Sequence, residues 1–261
     1  MTTHLVLVHG AWAGPWVWDS ILDAVRSAGH HPHVVTLPGV GDLSGPVTLD
    51  DLADTVVAQI DELGGDVVIA GHSGGGIVAT EVGERIPHRV AGIAYVAGMM
   101  LPSQLGYVGL CEQMGLTAPP GVGPYLTGID TRFGPATAVP PEVATAIFFQ
   151  LAGPDAAITA ARRLGVQLES ARRIAPVWTA ERYGRIPTLY IEATQDRSLP
   201  LHIQRRMQAL VPPTATVTLD CDHAPQLSAP TELAQTLIAF CETEARGSHI
   251  HGVPGGNPSD K

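Results

Sequence analysis

Residues 66–80 read DVVIAGHSGGGIVAT and predict a strand, a tight turn and a helix in direct succession. The apolar run DVVIA suits a buried strand. The following GHSGG, at 71–75, matches the pattern G-x-S-x-G, in which a strained turn lifts the serine hydroxyl clear of a sheet. Glycines two positions before and after the serine let strand and helix pack closely. The stretch therefore predicts Ser73 as a nucleophile.

The composition describes a folded, acidic chain of 261 residues. Apolar residues make up 45% and charged residues 15%, and the formal net charge is −10. This balance is typical of a compact enzyme rather than of a disordered segment. With no basic patch evident, the charge argues against nucleic acid and against an anionic membrane as partners.

The three cysteines have no Cys-x-x-Cys spacing, so we expect reduced, at least half-buried thiols in a cytoplasmic protein. The N-terminus shows no signal-peptide pattern and no run of about 18 apolar residues occurs, so we expect neither export nor a membrane span.

Strand and helix patterns alternate along the chain, which indicates a parallel α/β sheet flanked by helices. The chain also changes character partway, where proline and glycine become frequent and clear strand patterns disappear. We predict a core at 1–97 and 184–245, an inserted and mainly helical cap at 98–183, and a flexible tail at 246–261. Further strands are predicted at 4–8, 33–37, 90–96, 187–191 and 216–219, and helices at 16–28, 48–63, 200–210 and 231–244.

A serine nucleophile needs a base and a group that orients the base. In folds with this turn, the acid follows the serine in the chain and the histidine comes last. His223 follows the last predicted strand and is the candidate base. Asp196 follows the strand at 187–191 and is the candidate acid, with Asp220 and Asp222 as rivals. Asp222 adjoins His223, and neighbouring side chains in an extended segment point apart, so it is a poor orienter.

An oxyanion hole needs two N–H donors. The amide of Gly74, next to the serine, is one candidate. The second is expected from the loop after the first strand, His9-Gly10-Ala11-Trp12, where Ala11 is the candidate donor. We expect no metal and no cofactor in this chemistry.

At this point the chain resembles the α/β-hydrolases, and among them the plant hydroxynitrile lyase and methylesterase family with its bacterial esterase relatives. The similar segments extend to about residue 240: HGAWAGPWVW at 9–18, the serine turn, LAGPD at 151–155, ERYGRIP at 181–187, TQD at 194–196 and DH at 222–223. The resemblance implies an α/β-hydrolase fold with a mostly parallel central sheet. It also implies Ser73, Asp196 and His223 as nucleophile, acid and base, with a pocket buried under the cap.

Two departures from the family decide between its activities. The lyases carry a threonine where this chain has Gly10, and a lysine where it has Ala224. Without a hydroxyl for the cyanohydrin and an ammonium for cyanide, ester hydrolysis is favoured over lyase activity. A lyase or cyclase on the same fold and a small-molecule receptor with slow turnover are the alternatives.

The chain could form a homodimer. The pocket is expected to be a modest apolar cavity for a small ester. Its candidate lining residues are Gly10, Trp12, His72, Met99, Met100, Tyr107, Tyr125, Phe148, Phe149, Trp178 and Ala224.

Overall fold

The computed structural model describes residues 2–41 and 43–250. Its strands are, in chain order, β1 (His4–Val8), β2 (His31–Val34), β3 (Val67–His72), β4 (Val90–Val96), β5 (Thr127–Thr131), β6 (Gly134–Ala138), β7 (Gln167–Leu168), β8 (Thr188–Ala193) and β9 (Ala215–Leu219). Its helices are α1 (Asp19–Ser27), α2 (Leu49–Asp61), α3 (Gly75–Arg85), α4 (Tyr107–Gln113), α5 (Pro141–Ile147), α6 (Pro154–Arg163), α7 (Glu169–Arg172), α8 (Leu201–Leu210), α9 (Pro225–Ser228) and α10 (Pro230–Ile250).

The central sheet has six strands in the order β2-β1-β3-β4-β8-β9, and every neighbouring pair is parallel. The predicted parallel α/β architecture is confirmed. Strand order reverses at β1, which lies between β2 and β3. The carboxyl ends of β1 and β3 are therefore adjacent, and a crevice at such a reversal is where ligands bind in open α/β sheets.

Side chains that alternate along β1 supply both faces of the sheet. Leu5 and Leu7 pack with α1 and α10, whereas Val6 and Val8 pack with α2 and α3. All four are fully buried, since a parallel sheet is covered by helices on both sides. Helix α2 begins after Thr48, whose hydroxyl accepts from the Asp51 amide and caps the helix.

The segment between β4 and β8 is mainly helical, as predicted, and also contains strands that the sequence did not predict. It contains α4 to α7, but it also contains a three-stranded antiparallel sheet in the order β5-β6-β7. These strands are short, are rich in glycine, threonine and alanine, and have no alternation of apolar and polar residues, so the sequence pattern did not reveal them.

Two other boundaries also shift. Strand β2 begins at His31, which pairs with His4, two residues before the predicted start at 33. The last helix continues to Ile250, whereas the flexible tail was predicted from 246; the rest of that tail, 251–261, lies outside the described residues.

The three cysteines are free and buried, as predicted. In residues 2–41 and 43–250, no helix is long and apolar enough to cross a bilayer.

Among the described glycines, the closest backbone approach lies where α3 crosses the end of β1. A Cβ at Gly75 would lie 2.6 Å from the carbonyl oxygens of both Val8 and His9, and a Cβ at Gly71 would lie 2.7 Å from the Gly75 carbonyl oxygen. No heavy atom fits at those separations. The two glycines of the G-x-S-x-G pattern are therefore required by the backbone crossing itself.

We expect Gly75→Ala to destabilise the protein by about 3 kcal/mol, because its methyl group must push two backbone segments apart. Thermal unfolding of purified protein would measure the loss. The matched control is Gly64→Ala, whose Cβ meets no atom within 4 Å. Equal melting temperatures for the two variants would contradict the tight crossing.

Candidate active site

Ser73 lies at the turn between β3 and α3 in a left-handed backbone conformation, with φ of 52°. A non-glycine residue there is strained, and such strain persists only where the surroundings fix it. The Ser73 amide donates to the Val96 carbonyl at 3.2 Å, and its carbonyl accepts from the Met99 amide at 2.8 Å. These bonds to the end of β4 hold the strained turn, and they place the Ser73 side chain in the wall of a cavity.

His223 and Asp196 are brought together at the carboxyl ends of β9 and β8. The Nδ1 atom of His223 lies 2.7 Å from Oδ2 of Asp196, and both side chains are buried. The other oxygen of Asp196 accepts from the amides of Ser198 and Leu199, at 2.7 and 2.8 Å. Because the carboxylate is fixed at one oxygen, the other can hold the imidazole in a single orientation.

Neither rival carboxylate is recorded as bonding to the imidazole. Asp220 is exposed and accepts from the side chains of Thr194 and Gln195. Asp222 is fully buried and accepts from the Ala224 amide, the Ser228 hydroxyl and the Leu151 amide. Asp222 therefore ties the loop that carries His223 to the segment between β4 and β8.

Two buried histidines, His72 and His9, also line the cavity. The Nε2 atom of His72 lies 2.7 Å from the carbonyl oxygen of His223 and must donate to it, and the two rings lie 5.0 Å apart. His9 receives the Leu37 amide on Nε2. Burial lowers the pKa of His72 to about 3 and that of His9 to about 4, so both are neutral at pH 7.

The predicted oxyanion donors are neighbours. A Cβ at Gly74 would lie 3.9 Å from the Ala11 nitrogen. Over the described ranges, neither amide is recorded as donating to a protein acceptor. Gly10 lies against the nucleophile: a Cβ there would be 2.8 Å from the Ser73 Cβ. Glycine at this position is therefore required by the close approach of the loop to Ser73.

Trp12, the next residue of this loop, is held by the segment between β4 and β8. Its backbone is also left-handed, with φ of 57°. Its amide donates to Gln167 Oε1 at 3.1 Å, its carbonyl accepts from the Gly165 amide at 2.7 Å, and its indole N–H donates to Thr137 Oγ1 at 3.2 Å. The sequence does not reveal these contacts, because Gln167 and Thr137 are over a hundred residues away from Trp12.

The cavity has a volume of about 880 Å³ and contains Ser73 and His223 in its wall. Of the predicted lining residues, these lie in the wall: Gly10, Trp12, His72, Met99, Tyr107, Phe148, Phe149 and Ala224. Phe148 stacks on His223 at 5.2 Å between ring centroids and lies 6.2 Å from Trp12. These rings form one aromatic wall.

Three predicted lining residues lie elsewhere. Tyr125 is largely exposed and borders a separate, shallow depression beside Arg197. Trp178 points its indole N–H at the Leu101 carbonyl and packs edge-on against Tyr183. Met100 is fully buried in the core. Their aromatic or apolar character alone could not separate a pocket wall from core or surface.

The cavity also has a charged end that the sequence analysis missed. Glu169, Arg172 and Arg173 line it, and both arginines donate to the glutamate. In sequence, this i, i+3 and i, i+4 spacing is typical of an exposed helix face, so no signal marked it as part of a pocket.

The assembled groups suit acyl transfer. A serine, a histidine oriented by a buried carboxylate and two neighbouring amides are groups that a nucleophile, its base and an oxyanion hole require. Among the described residues, no three or more His, Cys, Asp or Glu side chains gather in a way that could hold a metal ion.

The chain is similar to known proteins over almost its whole length. The alpha/beta hydrolase family model matches residues 5–236. Esterase PIR7B of Oryza sativa subsp. japonica is 30% identical over 256 residues, covering 90% of this chain and 94% of that protein. Salicylic acid-binding protein 2 of Nicotiana tabacum is 27% identical, covering 90% and 95%. A crystal structure of a pyrethroid hydrolase from Sphingobium faniae JZ-2 superimposes with a TM-score of 0.83 at 24% identity, covering 94% and 100%.

We expect Asp196→Asn to lower the turnover of an ester substrate about 10⁴-fold, because an amide cannot hold the reactive tautomer of His223. Hydrolysis of p-nitrophenyl acetate at pH 7.5 would measure it. Asp220→Asn, on the exposed rival, is the matched control and should stay within about twofold of the parent. A dead Asp220→Asn beside an active Asp196→Asn would reverse the assignment.

Acid should destabilise the fold through His72 and His9. Their pKa values are depressed in the folded state to about 3 and 4, so between those values and 6.5 the unfolded chain binds more protons. Stability present above pH 6.5 is therefore lost as the pH falls, by about 2 kcal/mol per histidine between pH 7 and pH 5.

Urea unfolding at pH 7 and pH 5 would measure this loss. His72→Gln removes one of the two titrating groups and keeps a donor for the His223 carbonyl, so the loss should shrink by about 2 kcal/mol. An unchanged loss in this variant would show that His72 does not resist protonation.

Proposed function

The chain belongs to the alpha/beta hydrolase family, and we propose that it is a serine hydrolase that cleaves a small, largely apolar carboxylic ester through an acyl-enzyme on Ser73. One observation carries the proposal: His223, fixed by buried Asp196 at 2.7 Å, shares a cavity with a serine in a strained left-handed turn. The apolar part of such an ester fits the mainly apolar wall, in which the aromatic rings of Phe148 and Trp12 lie.

In the first half-reaction, His223 takes the hydroxyl proton as Ser73 Oγ bonds to the ester carbonyl carbon. The amides of Ala11 and Gly74 hold the negative oxygen of the tetrahedral intermediate. The carbon–oxygen bond to the alcohol then breaks, and His223 gives the proton to the leaving oxygen. The alcohol departs, and the acyl group stays on Ser73.

In the second half-reaction, His223 removes a proton from water, and the hydroxide oxygen bonds to the acyl carbon. The bond to Ser73 Oγ breaks and the serine recovers its proton, so the acid is released. Asp196 keeps the imidazole oriented throughout and stabilises its positive charge. Gly10 supports this arrangement because it lets the loop after β1 approach Ser73 without a clash.

The curated relatives support the reaction class, since one of them is an esterase. Another relative is named for binding salicylic acid. A small-molecule receptor is therefore an alternative that the ester assay must distinguish. Lyase or cyclase chemistry on this fold is the remaining alternative. At the position of the lyase lysine, Ala224 offers a methyl group and no charge.

We expect Ser73→Ala to lower hydrolysis of a short p-nitrophenyl ester by about 10⁴- to 10⁶-fold. Activity within tenfold of the parent would overturn the serine mechanism. A single preparation of the parent enzyme should cleave mandelonitrile more slowly than the ester. Faster cleavage of mandelonitrile that depends on Ser73 would instead favour the lyase, and saturable binding without turnover would favour the receptor.

A further inference from the structure

The charged end of the cavity is unlike the rest of its wall. Among the described lining residues, Glu169, Arg172 and Arg173 account for every Asp, Glu, Lys and Arg side chain. Two guanidinium groups therefore share one carboxylate, and the cluster carries one net positive charge inside a protein whose net charge is −10. A cavity with apolar walls strengthens the field of such a charge.

The carboxylate cannot neutralise both arginines. Arg172 donates from Nε to Glu169 Oε1 at 2.8 Å and from Nη2 to Oε2 at 2.6 Å, while Arg173 donates from Nε to Oε2 at 2.7 Å. The Thr137 hydroxyl donates to Oε1 at 2.8 Å. Although burial acts to raise it, the pKa of Glu169 is lowered to about 2 by the hydrogen bonds from Arg172 and Thr137, so Glu169 is ionised.

The arginines keep donors that the glutamate does not use. A guanidinium group has five N–H donors on three nitrogens. Within the described chain, Nη1 of Arg172 and both Nη atoms of Arg173 have no recorded acceptor. The Arg172 guanidinium also lies 5.3 Å from the centre of the Trp12 ring, and its two hydrogen bonds to Glu169 fix its plane. A fixed guanidinium plane is suited to a carboxylate.

The cluster adjoins the aromatic wall at Trp12. From His223 the wall runs through Phe148 to Trp12, and Arg172 lies against the Trp12 ring. An ester whose carbonyl lies at Ser73 would lie along these rings and present its remote end to the arginines.

We propose that this end is a subsite for an ionised carboxylate, and that the preferred substrate is an ester with a second carboxylate remote from the cleaved bond. The inference rests on the proposed ester hydrolysis and narrows its substrate class. Arg172 and Arg173 bind the remote carboxylate, and Glu169 orients them. The apolar wall takes the chain between the two groups.

The test compares matched esters that differ in one charge. Mono-p-nitrophenyl dicarboxylates from glutarate to suberate are paired with methyl ketones of equal length, such as p-nitrophenyl 5-oxohexanoate for the glutarate. The measured quantity is kcat/KM for the anion divided by kcat/KM for its ketone. We expect this ratio to be about ten at the best chain length, and to fall as salt is added.

A charge series then assigns the effect to the cluster. Arg173→Gln and Arg172→Gln, made separately, each bring the net charge of the cluster to zero, and each should lower the ratio about tenfold. Glu169→Gln raises the net charge of the cluster and should raise the ratio. Arg162→Gln, on an exposed arginine of α6 that does not line the cavity, should leave it unchanged. Arg173 is 68% exposed, so its variant tests the proposal even if Arg172→Gln fails to fold.

The outcomes separate the two proposals. If neither ester of any pair is hydrolysed, the proposed function itself fails. If the ketones are hydrolysed and no chain length favours the anion, ester hydrolysis stands and the carboxylate subsite is overturned. A ratio that ignores all three charge changes would also overturn the subsite.

Discussion

The contact between α3 and the end of β1 is the constraint on which the site depends. Because Gly75 touches the carbonyl oxygens of Val8 and His9, the helix starts directly beside the loop that follows β1. That closeness makes Gly74 and Ala11 neighbours. The same crossing leaves Ser73 a left-handed turn between strand and helix, and bonds to Val96 and Met99 support the turn. Backbone packing alone therefore determines the positions of Ser73 and of the amides of Gly74 and Ala11.

Charge is distributed unevenly around the cavity. At the serine end, His72 and His9 are kept neutral by burial. The Asp196 carboxylate bonds to His223 and does not line the cavity. At the other end, Glu169 is ionised and is bound by two arginines. The cavity is therefore polar in two different senses, with neutral hydrogen-bonding groups at Ser73 and formal charges beyond Trp12.

Much of this arrangement could be predicted from the sequence because its causes are local. The glycines around Ser73, the cap at Thr48 and the apolar runs of the sheet each act over a few residues. Asp196 and His223 were placed together because both follow strands of one parallel sheet. Other features depend on contacts between distant segments: the β5-β6-β7 sheet, the hydrogen bond between Gln167 and Trp12, and the charged end of the cavity. Neither residue type nor spacing reports such contacts, which is also why Tyr125 and Trp178 were assigned wrongly to the pocket.

The segment between β4 and β8 is bonded to the loop that carries Trp12 and to the loop that carries His223. On one side, Gln167 and Gly165 bond to the amide and carbonyl of Trp12; on the other, the Leu151 amide bonds to buried Asp222 beside His223. This segment is consequently not an interchangeable module. A graft from another protein would leave Trp12 without partners for a left-handed backbone and Asp222 with an unused acceptor. New specificity is reached more readily by point changes on the cavity wall than by exchange of the whole segment.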